Sequence, residues 1–174
     1  MYIKVLKECG YEEAALGFSL SYNSTVNRAK ELFPIYADKQ GGENKFLESI
    51  FVWLQVDAPR FWWQQADTYR VGSSKQSEST MHTILRSMLS QENFEYAIDE
   101  KTLERLNSLI LEKDFDQIKN ELPEGFLQKR VWVINYKTLQ NMYNQRKNHK
   151  LSQWQMFFYV VLNNIEHPEF IVTK

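Results

Sequence analysis

The run Phe51-Val52-Trp53-Leu54-Gln55-Val56 is apolar apart from Gln55 and rich in strand formers, the pattern of a strand in the middle of a sheet. Around it the chain reads as further elements that cover such a sheet. Tyr2 to Glu8 alternates apolar and polar side chains as a short strand does. Ser24 or Asn23 is placed to cap a helix with Val26, Ala29, Phe33 and Tyr36 on its apolar face, which Gly41-Gly42 ends, and a short helical turn starts at Asn44. After the central strand, Asp57 is expected as an N-cap with Pro59 near the first turn of a helix that carries Trp62 and Trp63. Gly72-Ser73-Ser74 breaks that helix, and the polar segment through Ser79 reads as an ordered loop leading to a helix from about Thr80. Leu103, Leu106 and Ile110 mark another helix whose solvated end is expected at Lys113 to Asn120, and Pro123-Glu124-Gly125 reads as a turn. An apolar segment Val131 to Ile134 precedes two helices, one through Tyr136, Leu139 and Tyr143, the other through Trp154, Phe157, Phe158, Val161 and Leu162. No internal repeat, low-complexity tract or linker interrupts this order, which gives a single α+β domain over residues 1–174 in which helices dominate.

A chain of 174 residues with 43% hydrophobic content can bury a real core. Its 21 basic and 22 acidic residues nearly cancel, so no strong field draws it to nucleic acid or to an anionic membrane. No run approaches the roughly 20 apolar residues of a membrane span, and Met1 to Gly10 lacks the apolar stretch of a signal peptide, so the expected location is cytoplasmic. Cys9 is the single cysteine, which rules out an internal disulfide; a buried, inert thiol is expected there. His82, His149 and His167 lack ligand spacing, and no metal is expected. The aromatic content of 14% fits a core or an oligomer interface, with a stacking platform for a flat ligand as the other reading.

Ala58-Pro-Arg-Phe-Trp-Trp-Gln-Gln-Ala-Asp-Thr-Tyr-Arg, continuing through Ser79, resembles the signature region of the flavin-dependent thymidylate synthases. That family has an Arg a few residues before a Gln, then an Arg-His-Arg triplet, then a Ser; Arg60, Gln65, Arg70 and Ser79 fall in register, with Thr68 and Tyr69 in the first two places of the triplet. Leu47-Glu48 before the central strand is similar to the family's Leu-Glu-His turn, with Ser49 in place of His. Leu122-Pro123, Asn135-Tyr136-Lys137, Arg146 and Ser152-Gln153-Trp154-Gln155 then follow the family's order, Lys137 replacing an Arg and Phe157 standing where a last Arg is usual.

The resemblance implies an α+β fold with a mixed or antiparallel sheet and several helices, homotetramers with active sites at subunit interfaces, and binding of FAD and dUMP. It also implies NADPH and methylenetetrahydrofolate as co-reactants that methylate the uracil ring without a cysteine nucleophile. Carried over residue by residue, it makes Arg70 and Ser79 catalytic; Glu48, Arg70, Gln76 and Asn135 cofactor-binding; and Gln65, Ser79, Lys137 and Arg146 substrate-binding. The residues themselves leave alternatives. Glu48 reads equally as a cap or surface group, Gln65 as an exposed helix residue rather than a partner for a pyrimidine edge, and Asn135 as a helix cap. Lys75, Ser73, Ser74, Ser77 and His82 read either as a phosphate-holding loop or as a solvated connection.

Three function classes follow: a divergent flavin-dependent synthase acting on a pyrimidine nucleotide, a non-catalytic nucleotide-binding or sequestering protein on the same fold, and a single-strand nucleic-acid binder that stacks bases on the Trp-rich helix. Near-neutral charge weighs against the last. Thr68, Tyr69, Met81 and Phe157 weigh against an unchanged mechanism. The short chain and thinned motifs suggest a phage or mobile-element member of the family.

Overall fold

The computed structural model describes residues 1–39 and 42–172; Gly41, expected to end the second helix, lies outside them. Four strands, β1 (Tyr2–Cys9), β2 (Phe51–Pro59), β3 (Ser73–Ser77) and β4 (Leu127–Asn135), form one sheet in the order β1-β2-β4-β3. The Tyr136 N–H donates to the Ile50 carbonyl and the Arg60 N–H to the Phe126 carbonyl, equal intervals run in opposite senses, so β2 and β4 are antiparallel. Asn135 to Gly72 and Glu78 to Lys129 fix β4 against β3 in the same way. The sheet is antiparallel throughout. Among the described residues lie eight α-helices: α1 (Tyr11–Ser21), α2 (Val26–Tyr36), α3 (Arg60–Ala66), α4 (Thr80–Thr83), α5 (Glu100–Glu112), α6 (Phe115–Glu121), α7 (Tyr136–Arg146) and α8 (Ser152–Leu162). None is long and apolar enough to cross a membrane.

Packing divides the chain into two compact units. The first, residues 1–2, 56–68 and 76–130, has a core of Ile84, Phe94, Leu106, Leu109, Ile110, Ile118, Leu122 and Phe126. Trp62 and Trp63 are also fully buried within it, at 0% and 1% exposure, and the Trp63 indole donates to the Gln128 carbonyl. The tryptophans of α3 therefore offer no stacking surface, which removes the feature on which the nucleic-acid reading relied. The second unit, residues 3–55, 69–75 and 131–174, is built on aromatic rings: Phe33 stacks on Phe46 at 3.8 Å, Phe170 meets both edge-on, and Trp132, Trp154 and Phe157 form a second cluster. Phe157, where the resemblance would place an Arg, is fully buried core.

Several expectations change. Helix α1 was not foreseen; its start needs Gly10 at φ 97°, where an added Cβ would lie 2.0 Å from the Ser49 carbonyl oxygen. Thr25, not Ser24 or Asn23, caps α2, accepting from the Arg28 N–H, while Asn23 adopts a left-handed turn. Asp57 is no cap: it lies inside β2, where burial raises its carboxyl pKa against the opposing charge of Lys129, and Pro59 takes the position before α3. Lys113 turns left-handed to stop α5, and Asp114 caps a separate α6 where a solvated helix end was expected. The Ser-rich loop is the edge strand β3; a polar edge needs no apolar alternation. Cys9 is exposed, not buried.

Candidate functional site

In the second unit, polar groups converge where β4 passes into α7. Asn135 caps the helix, its Oδ1 accepting from the Thr138 N–H at 2.9 Å, while its Nδ2 donates to the Glu48 carbonyl at 3.2 Å. The segment after Tyr69 is fastened to the same turn, because the Thr138 hydroxyl donates to the Val71 carbonyl at 2.7 Å and the Asn135 N–H donates to the Gly72 carbonyl at 2.8 Å. Only glycine fits at 72. Its φ is +64°, and an added Cβ would lie 2.3 Å from the Asn135 amide nitrogen. These bonds bring Glu48, Arg70, Asn135 and Lys137 to the positive end of one helix, where anions are favoured.

The four are used differently. Asn135 is buried and both ends of its amide serve the fold. Lys137 donates to the Asn44 Oδ1, and Asn44 is itself buried and donates to the Ala37 carbonyl and to Gln140. Burial lowers the Lys137 pKa from its ordinary value, with Glu48 opposing the shift. Glu48 ends a short 3-10 turn (Lys45–Glu48) with an exposed side chain. Arg70 is exposed and makes no hydrogen bond or ion pair among the described residues.

Arg146, at the other end of α7, is organised by Tyr69. Its Nε donates to the Tyr69 hydroxyl at 2.9 Å, and its guanidinium lies over the Trp154 ring at 5.3 Å. The Tyr69 hydroxyl donates in turn to the Gln145 Oε1 at 2.9 Å. Of the Ser-rich segment, Ser73 accepts from the Trp132 indole and donates to the Tyr69 carbonyl. Lys75 donates to that carbonyl and sits over Trp132. Both brace the strand.

The second unit also contains a cleft of about 590 Å³ between α1 and residues 42–49, lined by Phe18, Ser21, Tyr22, Lys45, Phe46 and Ser49 among others. This volume lies within the general range of small-molecule and cofactor pockets. Sequence reasoning missed it because α1, one of its walls, has no clean helical periodicity; the glycine at position 10 was the one available signal of a turn before it.

The remaining expected site residues belong to the first unit. Gln65 is half-buried on α3, its carbonyl accepting from the Thr68 hydroxyl at 2.7 Å. Gln76 is exposed on β3. Ser79 is exposed in front of α4, with a hydroxyl that caps nothing. Arg60 is committed to structure, donating to the Leu122 carbonyl at 3.0 Å and pairing with Glu124.

No protein-family model matches the sequence, and no curated protein matches it. Solved structures do. The chain is similar to a flavin-dependent thymidylate synthase ThyX from Helicobacter pylori complexed with FAD and dUMP, with a TM-score of 0.83, 19% identity, and coverage of 98% of both chains. A second structure of the Helicobacter pylori enzyme with FAD and dUMP gives a TM-score of 0.82 at 18% identity, over 98% of this chain and 97% of that one. The fold is thus that of the flavin-dependent thymidylate synthases.

Proposed function

We propose that the protein is a divergent flavin-dependent thymidylate synthase, binding FAD and a pyrimidine nucleotide of the dUMP type for one-carbon transfer to the pyrimidine ring. The observation that carries this reading is the convergence of Glu48, Arg70 and Lys137 on the capped start of α7, in a chain whose fold matches enzymes solved with FAD and dUMP.

The residues present fit a flavin nucleotide. The α1 cleft has aromatic walls for a planar ring and Lys45 for a phosphate, with the carboxylates of Glu13 and Glu43 also on its lining, and the exposed Arg70 adds an uncommitted guanidinium. In this reading Glu48, Gln76 and Asn135 hold the cofactor side, Asn135 by fixing the turn that carries Glu48. Gln65 pairs with the two-sided edge of the base, and Ser79 donates to the nucleotide phosphate. Arg146 and Lys137 oppose its charge, and Arg70 orients both ligands. Bound flavin supplies redox chemistry that side chains lack. NADPH as reductant and methylenetetrahydrofolate as one-carbon donor complete the proposal, as do a single functional domain over residues 1–174, a homotetramer with shared sites and a phage protein acting in the host cytoplasm.

The engagement of Lys137 with Asn44 favours one alternative, a nucleotide-binding protein on this fold without turnover. The visible spectrum with FAD, before and after dUMP, separates the readings. A bound flavin whose spectrum responds to dUMP, followed by dTMP formation with both co-reactants, is expected. Nucleotide binding without flavin at saturation would leave the binder.

A further inference from the structure

We propose that Tyr69 is a positioning residue for the nucleotide site, acting through Arg146; this rests on the reading of Arg146 as a substrate ligand. Hydrogen-bond direction fixes the role of each group. Within α7, the Gln145 Nε2 donates to the Asn141 Oδ1 at 2.9 Å, so its Oε1 is turned to accept the Tyr69 hydroxyl proton at 2.9 Å. With its proton committed there, the Tyr69 oxygen offers lone pairs only, and a guanidinium nitrogen can only donate. The 2.9 Å contact from the Arg146 Nε completes a relay in which the Gln145 amide, the Tyr69 hydroxyl and the Nε each have one role.

That relay sets how Arg146 can meet a ligand. A guanidinium can grip an oxyanion side-on through Nε and one Nη, or end-on through both Nη atoms. Tyr69 occupies Nε, so a side-on grip through that nitrogen is closed to a phosphate or carbonyl oxygen. The Trp154 ring, fully buried and 5.3 Å from the guanidinium centre, backs the group with a fixed aromatic surface. Tyr69 is buried and edge-on to Trp154 at 6.2 Å, so its ring is held independently of its hydroxyl. The hydroxyl can therefore be removed with the packing kept.

The test is a double-mutant cycle on the full chain, read as the dUMP dissociation constant by calorimetry with a thermal melt of each variant. Arg146→Ala is expected to weaken dUMP binding on the order of a hundredfold and Tyr69→Phe on the order of tenfold. Tyr69→Phe should have no further effect in the Arg146→Ala background. Gln145→Ala, an exposed change that frees the Tyr69 proton, should weaken binding in the same direction by less. Unchanged affinity in Tyr69→Phe, or an equal loss in both backgrounds, overturns the positioning role while leaving Arg146 as a ligand. Unchanged affinity in Arg146→Ala overturns the substrate-ligand reading itself.

Discussion

The start of α7 and the segment from Gln76 to His82 both carry expected site residues, and they spend their polar groups in opposite ways. At α7, Asn135 bonds the Glu48 carbonyl and the Thr138 N–H, Thr138 bonds Val71, and Lys137 bonds Asn44. In the other segment Gln76 and Ser79 are exposed, and their side chains make no hydrogen bond among the described residues. The first region is a frame whose failure costs stability; in the second, changes at Gln76 and Ser79 register only when a ligand is present, while Thr80, buried and accepting from the Lys119 ammonium, serves the fold. Arg70 is the exception that links the two behaviours: its neighbours Val71 and Gly72 are fastened to the frame, yet its own side chain is uncommitted.

The sharpest break of this contrast is Gly72→Ala. A left-handed conformation costs a non-glycine residue about 1–2 kcal/mol, and displacing the buried Asn135 amide adds about 1–3 kcal/mol. A loss of about 3 kcal/mol lowers Tm by roughly 6–12 °C in a chain of this length. Gly17→Ala, where an added Cβ meets nothing within 4 Å, is the control and should raise Tm slightly. Equal Tm values for the two variants would remove the frame from the comparison.

Next in size is Arg70→Ala. Loss of a charge-assisted bond of about 1.5–3 kcal/mol weakens FAD or dUMP binding by roughly ten- to a hundredfold, while Tm of the ligand-free protein stays put because nothing in the fold depends on the side chain. A lower Tm with unchanged affinity would return Arg70 to the frame. Ser79→Ala is smaller, a loss of about 0.5–1.5 kcal/mol, or roughly two- to tenfold in dUMP affinity, with no change in Tm. Unchanged affinity would leave Ser79 a surface hydroxyl.

What sequence alone revealed follows the same division. The apolar strand at Phe51 and the aromatic face of α8 speak through local pattern and fold as read, and of the two readings of Asn135 the structure shows the cap. The boundary between α5 and α6 did not, because a left-handed Lys113 leaves no compositional trace. β3 carries no strand pattern, because an edge strand can be wholly polar. For the site, order along the chain identified which residues to watch, but not that Tyr69, a departure from the family's triplet, would take hold of Arg146. That contact joins residues 77 positions apart, and neither carries a local signal of the other.

His149 gives the smallest effect and probes the junction between frame and ligand. Its Nδ1 accepts the Leu151 N–H at 3.1 Å, just before α8 begins, so the ring serves the fold in its neutral form. Burial lowers its pKa from the ordinary value, and Arg146 and Lys150 lower it further. With the folded pKa below the unfolded value of about 6.5, the contribution is complete above that pH. It is lost as pH falls from there toward the folded pKa, because the unfolded chain takes up the proton first. Tm should therefore fall more steeply between pH 7.5 and 5.5 in the unaltered protein than in His149→Gln, and parallel curves would remove the assignment. A nucleotide phosphate at Arg146 would offset the charge that holds this pKa down, so saturating dUMP should narrow the gap between the two curves. A gap that dUMP leaves unchanged would place the nucleotide away from Arg146, even if it binds elsewhere on the protein.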